Sequence, residues 1–220
     1  CGLRAVSSHV ALKLIEADMQ GVIDYHKAIG CDYIAVPYLS TEQRPGTPAF
    51  AGVLRTIYQF GCLCRDNGIQ LLYHNHDFEF VSFSGMYALD FLYAAMPEDV
   101  LKTEIDVCWV KYAGEDPAAY LRKYAGRAPV VHLKDFVGRK EGDAAPYGLL
   151  GQSETKAAGE VPFEFRPVGY GCQDVSAVAE AGLDAGAKWF VVEQDASVGR
   201  TPLEAAAMSI DTLRKIGLKG

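Results

Sequence analysis

Short apolar, β-branched runs alternate with longer stretches whose apolar residues fall three and four apart, and this alternation constrains the fold more than any other feature. The strand-like runs are LRAVSSHV (3–10), CDYIAVPY (31–38), the stretch 69–76, LKTEIDV (101–107), APVVHLKD (128–135) and KWFVVEQD (188–195). Helical spacing fills 14–29, 50–66, 86–96, 175–185 and 202–216. A further helix starts at Asp116-Pro117, with Asp as cap and Pro in the first turn, and runs to about Tyr124. Strands that alternate with helices imply a parallel sheet with helices on its faces. The runs lack strict polar alternation, as expected of strands buried on both sides. A long polar loop is expected at 136–172, and its GRKEGD segment (138–143) reads as a solvated stretch or a lid.

Two architectures satisfy this pattern, the doubly wound open sheet and the (β/α)8 barrel. The strand ends favour the barrel. Run after run closes in chemistry-bearing residues: His9; His74 and His76; Asp106; His132, Lys134 and Asp135; Glu193 and Asp195. A barrel gathers the C-terminal ends of its strands around one mouth, whereas an open sheet spreads them along an edge. No GxGxxG occurs. Six strand–helix units are legible where a barrel has eight. The chain opens almost directly in a strand, without Met, so the expectation is a single partial barrel domain over 1–220. It would lack its first two βα units, on the order of 50 residues; a compact six-stranded form is the alternative.

Half of the 220 residues are hydrophobic and 22% are charged, which suits a globular chain with a sizeable core. A net charge of −7 argues against nucleic acid or an anionic membrane as the main partner. No apolar run approaches the roughly 20 residues of a membrane span. Six scattered cysteines without a CxxC read as idle thiols of a reducing, cytoplasmic compartment.

YHNHDFEF (73–80) sets two imidazoles and two carboxylates within six residues at a strand exit. The metal candidates, one from each of four strand ends, are His74, Asp106, His132 and Glu193. Such a mixed nitrogen and oxygen set suits one Mn²⁺, Zn²⁺, Co²⁺ or Fe²⁺ ion better than Ca²⁺ or a thiolate-bound zinc. A small carbohydrate with vicinal oxygens fits that centre. Glu193, His76 and Glu79 are candidate bases. Lys134 either binds a substrate oxyanion or pairs with Asp135. Trp109 either floors a sugar pocket or packs in the core, and His9 is a candidate substrate contact. A homo-oligomer is compatible with the sequence.

Taken in order, YHNHDFEF, IDVCWVKYAGEDP, VVHLKD, FRPVGYGCQD and VVEQD resemble the sugar phosphate isomerase/epimerase family, xylose isomerase-like TIM barrels related in fold to endonuclease IV. The resemblance runs from about Gly2 to Leu213. It implies one divalent metal at the barrel mouth, held from strands five to eight, and by motif these positions are His74, Asp106, His132 and Glu193. One position departs: ketose epimerases carry Glu on strand five, where this chain has His74. The YHxH pattern is similar to that of inosose dehydratases, which eliminate water from a keto-inositol. Two other readings are an abasic-site endonuclease, which needs more His ligands and a basic face, and a non-catalytic sugar-binding relative.

Overall fold

The computed structural model describes residues 2–138 and 163–218. The chain forms two compact units, Cys1–Ile105 and Asp106–Gly220.

The first unit contains β1 (Ser7–His9), α1 (Leu12–Ala17), α2 (Met19–Ala28), β2 (Tyr33–Val36), α3 (Phe50–Asp66), β3 (Gln70–His74), β4 (Ser82–Phe83), β5 (Met86–Tyr87) and α4 (Ala88–Ala94). Strand β6 (Lys102–Asp106) closes it. Four parallel strands pair in the order β1-β2-β3-β6, with Ser8 opposite Ile34, Ile34 opposite Leu71 and His74 opposite Glu104. Ile34, Ala35 and Val36, like Leu71, Leu72 and Tyr73, are fully buried. Both strand faces are therefore dry, which explains why these runs do not alternate. Helix α3 turns Phe50, Val53, Ile57, Phe60 and Cys64 inward. It ends at Asn67-Gly68, where Gly68 takes φ +76° and the Ile69 N–H closes on the Cys64 carbonyl.

The helix expected at 14–29 is two helices. Asp18 leaves helical geometry at φ −160° and accepts the Gly21 N–H at 2.9 Å, capping α2. A Cβ at position 21 would overlap that carboxylate, so Gly21 makes the break feasible. The helix expected at 86–96 starts later, because Met86–Tyr87 pairs with Ser82–Phe83 in a hairpin. Its two-residue turn, Ser84-Gly85, has positive φ at both positions, the geometry that matches strand twist.

The second unit contains α5 (Val107–Tyr112), α6 (Pro117–Lys123), β7 (Val130–Leu133), β8 (Asp135–Val137), β9 (Glu164–Arg166), α7 (Val175–Asp184), β10 (Trp189–Val192) and α8 (Pro202–Lys215). β7 and β10 pair in parallel, with Val131 opposite Phe190. Asp116 caps α6 as expected. Helix α5 was not anticipated. Its six residues, VCWVKY, extend an apolar run that shows no helical stripe, and only the Asp106 cap marks the start. The stretch expected to be a loop at 136–172 holds β8 and β9, which pair antiparallel with Phe136 opposite Phe165. Of GRKEGD, only Gly138 lies within the described residues. Among the described residues no helix is long and apolar enough to cross a membrane, and the five cysteines there are free thiols.

FRPVGYGCQD is fastened to β8 by one buried carboxylate. Asp135 accepts the N–H groups of Gly169 and Gly171 at 2.9 Å each, of Gln173 at 3.1 Å and of Phe136 at 2.9 Å. A Cβ on residue 171 would overlap both Asp135 Oδ1 and the Phe136 carbonyl. Replacing Gly171 by Ala must push this segment off β8, and a loss of about 1–3 kcal/mol is expected. Thermal denaturation followed by circular dichroism tests it; a midpoint equal to the parent's would show that the close approach is not needed.

Candidate metal and catalytic site

In the first unit, three strand ends bring polar groups together. Glu104, fully buried in β6, accepts the Ser7 hydroxyl at Oε1 (2.9 Å) and His9 Nε2 at Oε2 (2.6 Å). The same Oε2 lies 3.5 Å from His74 Nδ1. Atoms able to bind a metal on His9, His74 and Glu104 lie within 4.8 Å of one another. The His9 and His74 rings meet edge to face at 4.8 Å.

His76 sits differently from the expectation. Strict alternation would continue β3 through residue 76, but the strand stops at His74 and the chain turns. The His76 ring stacks on Phe78 with 12° between planes, and its backbone N–H donates to Glu79 Oε2 at 2.8 Å. Glu79 Oε1 accepts the Tyr73 hydroxyl at 2.6 Å, and the Tyr93 hydroxyl donates to the Tyr73 carbonyl. Both Glu79 oxygens therefore hold the turn after β3. Burial pushes the Glu79 carboxyl up to about 7, against the lowering effect of these donors.

In the second unit, a charge cluster forms around Lys134, whose side chain is 3% exposed. Its ammonium lies 2.9 Å from Glu193 Oε2, 3.1 Å from Asp195 Oδ2 and 3.4 Å from Asp106 Oδ2. Lys134 pairs with these three groups and not with Asp135, whose oxygens hold backbone. His132 Nδ1 donates to Glu193 Oε2 at 3.0 Å. Asp106 Oδ1 accepts the Cys108 N–H at 2.8 Å, so one carboxylate both caps α5 and faces the cluster. Burial pushes the Asp106 carboxyl up to about 6; Glu193 adds to the rise, while Lys134 and His132 oppose it. Burial would lower the Lys134 ammonium, yet Asp106, Glu193 and Asp195 outweigh it and raise its pKa. Trp109 is buried and stacks on Phe163 with 9° between planes, and Lys134 Nζ stands 5.5 Å from its ring centroid.

The donor set fits a divalent cation. Asp106, His132 and Glu193 each offer a ligand atom within 4.8 Å of the others. Around them, three carboxylates face one ammonium, an imbalance of two negative charges that a divalent ion would offset. Sequence reasoning missed Glu104 and assigned Asp195 no role. Glu104 had a readable signal, since it stands two residues before Asp106 and so on the same face of β6.

Parallel strands followed by helices, with His, Asp or Glu at or beside the ends of several of them, define an α/β-barrel type of protein with its polar groups at the strand ends. A family model described as xylose isomerase-like TIM barrel matches residues 11–216, and the chain belongs to that family. Its fold class is therefore the one expected from the alternation of strands and helices. Solved structures agree in fold. A sugar phosphate isomerase/epimerase from Parabacteroides distasonis ATCC 8503 superposes with a TM-score of 0.74 at 20% identity, covering 97% of this chain and 71% of that one. The IOLI protein, solved with a bound zinc atom, gives 0.69 at 14% identity over 97% and 76%. The probable 3-DHS dehydratase AsbF of Bacillus anthracis gives 0.64 at 12% identity over 96% and 76%. No curated protein matches the sequence.

Glu79 carries a pH dependence. Folded, it keeps its proton to about pH 7, whereas its ordinary pKa is 4.5. The folded chain thus binds more protons than the unfolded chain between those values, and stability falls as pH rises through that window. The loss amounts to about 3 kcal/mol. Urea unfolding of the parent and Glu79→Gln at pH 5 and pH 8 tests it: the variant should lose about 2–3 kcal/mol less. Equal losses in both would remove Glu79 as the source.

Proposed function

We propose that this protein is a metal-dependent isomerase or epimerase of a small sugar, keto-sugar or sugar phosphate, acting through abstraction of the proton next to a carbonyl. The observation that carries the reading is the charge cluster itself: Asp106, His132 and Glu193 offer mixed donors, and Lys134 neutralises only part of the acid around them. His74 is the fourth ligand on this reading, assigned from the motif and from the family's habit of collecting strand ends at one mouth. When bound, a divalent ion supplies Lewis acidity that makes a proton beside a carbonyl easier to remove.

The chain's own groups divide the remaining work. Glu193 is the best-placed base: its side chain is 27% exposed, and it touches both His132 and Lys134. His76 and Glu79 are buried, and Glu79 is committed to Tyr73 and to backbone, so they shape the site. Lys134, locked among three carboxylates, fixes Glu193 and Asp106 in place. Glu193 removes the proton at one of its oxygens, and the enediolate is reprotonated on carbon. His9, at the end of β1 and part-exposed, remains the candidate contact for a substrate hydroxyl. In a second reading, supported by YHxH and by the likeness to a probable dehydratase, the same intermediate expels a β-hydroxyl and the enzyme is a lyase.

Elemental analysis of protein purified without added metal should give about one divalent ion per chain, and almost none in the Asp106→Asn, His132→Ala double variant. Glu193→Gln should keep the fold but slow exchange of the substrate α-proton with deuterated solvent by about 10²–10⁴-fold across a panel of keto-sugars. Parental exchange in that variant would rule out Glu193 as the base. A metal content unaffected by the double substitution would rule out the centre.

A further inference from the structure

We infer that Glu104 is the positioning residue of the site, a buried carboxylate that fixes the ring of His74 by its Nδ1 side and leaves Nε2 as the nitrogen able to bind a metal. The inference rests on the metal-centre reading above and on geometry within the first unit. Glu104 is fully buried and stands opposite His74 in the β3–β6 register. A carboxylate so deep in the fold is costly unless its oxygens are engaged, and three groups from two other strands converge on it. Ser7 donates to one oxygen, His9 donates to the other, and His74 Nδ1 stands 3.5 Å from the oxygen that His9 uses.

This arrangement assigns the two nitrogens of His74 different tasks. The nitrogen that faces Glu104 is Nδ1. At 3.5 Å this is an electrostatic contact and not a closed hydrogen bond, and a proton held on Nδ1 by the carboxylate leaves the ring's lone pair on Nε2, the atom a metal would take. Carboxylates behind metal-binding imidazoles orient the ring and raise its basicity, and losing one costs about 10–100-fold in metal affinity. Ser7 and His9 keep the carboxylate from swinging away, which explains why the edge strand β1 spends two polar side chains on a buried acid. His74 stands where ketose epimerases carry a Glu, and Glu104 keeps a carboxylate within reach of that position while leaving the imidazole as donor.

The test is zinc affinity, measured by competition with a chromophoric chelator, for the parent, Glu104→Gln, His74→Ala and the double variant, with Asp106→Asn alongside. Glu104→Gln should weaken zinc binding about 10–100-fold, and that loss should vanish in the His74→Ala background, because the two residues act as one unit. The metal-free melting temperature of Glu104→Gln should equal or exceed the parent's, since a buried charge has been removed. Zinc affinity unchanged in Glu104→Gln, or weakened equally with and without His74, would overturn the inference while leaving the metal centre standing. Zinc held undiminished by Asp106→Asn would overturn the centre itself. Nitrogen-15 NMR of the parent gives an independent check: His74 should be the Nδ1–H tautomer, and an Nε2–H ring would overturn the inference without any substitution.

Discussion

An ammonium group with almost no access to water governs the chemistry of the second unit. Lys134 directly follows β7, where burial alone would lower its pKa; Asp106, Glu193 and Asp195 outweigh that and raise it. The dependence runs both ways. Without Lys134, Asp106 would be a fully buried carboxylate beside Glu193, and its carboxyl would climb further above about 6. Attraction among such groups outweighs their desolvation only when partners are close and geometry is fixed. Here β7 and β10, paired in parallel register, supply the fixing. The cluster stops short of neutrality, and the deficit matches the charge of one divalent ion.

Carboxylates at or beside the strand ends of this chain do two kinds of work, and their partners tell them apart. Asp135 and Glu79 are clamps. Asp135 gathers four backbone N–H groups, and Glu79 takes one backbone N–H and one phenol. Both hold a turn where the chain leaves a strand. Asp106, Glu193 and Glu104 instead face groups that titrate or bind metals. A sequence motif shows acids at strand exits but not this division, because the partners come from elsewhere in the chain. FRPVGYGCQD is a case in point: its glycines let a segment more than thirty residues downstream close on Asp135.

The fold class and all six parallel strands were legible because period and composition report burial directly. Strand cores such as YIAV and VVHL are mostly apolar and almost wholly buried, and do not alternate as a surface strand would. Boundaries were less legible, since they depend on single contacts. Asp18 splits one helix into two by capping the next turn, and the Ser84-Gly85 turn turns the start of a helix into a hairpin. Helix α5 escaped because a short, wholly buried helix has no polar face to reveal its period. At the site, His132, Asp106 and Glu193 could be chosen from position alone, because each ends an apolar run. Glu104 does not end its run; its signal was weaker, an acid two residues before Asp106 and so on the same face of β6.

That placement bears on how the chain trades stability for function. A Glu buried in β6, an Asp whose acidity is weakened by burial, and a lysine enclosed by three acids could be replaced together with their partners by apolar side chains at little cost if folding were the only requirement, although removing one alone would strand the others. Their apolar surroundings meanwhile make every charge felt at longer range than it would be in water. A strand end built this way resists folding slightly, and a divalent cation placed there would supply the compensation that the protein alone leaves incomplete. Binding to the folded chain alone would then return the stability that the site withholds. On the proposed metal-centre reading, the same charges that weaken the metal-free protein would make its strand ends a receptor for a divalent ion and for the oxygens of a substrate.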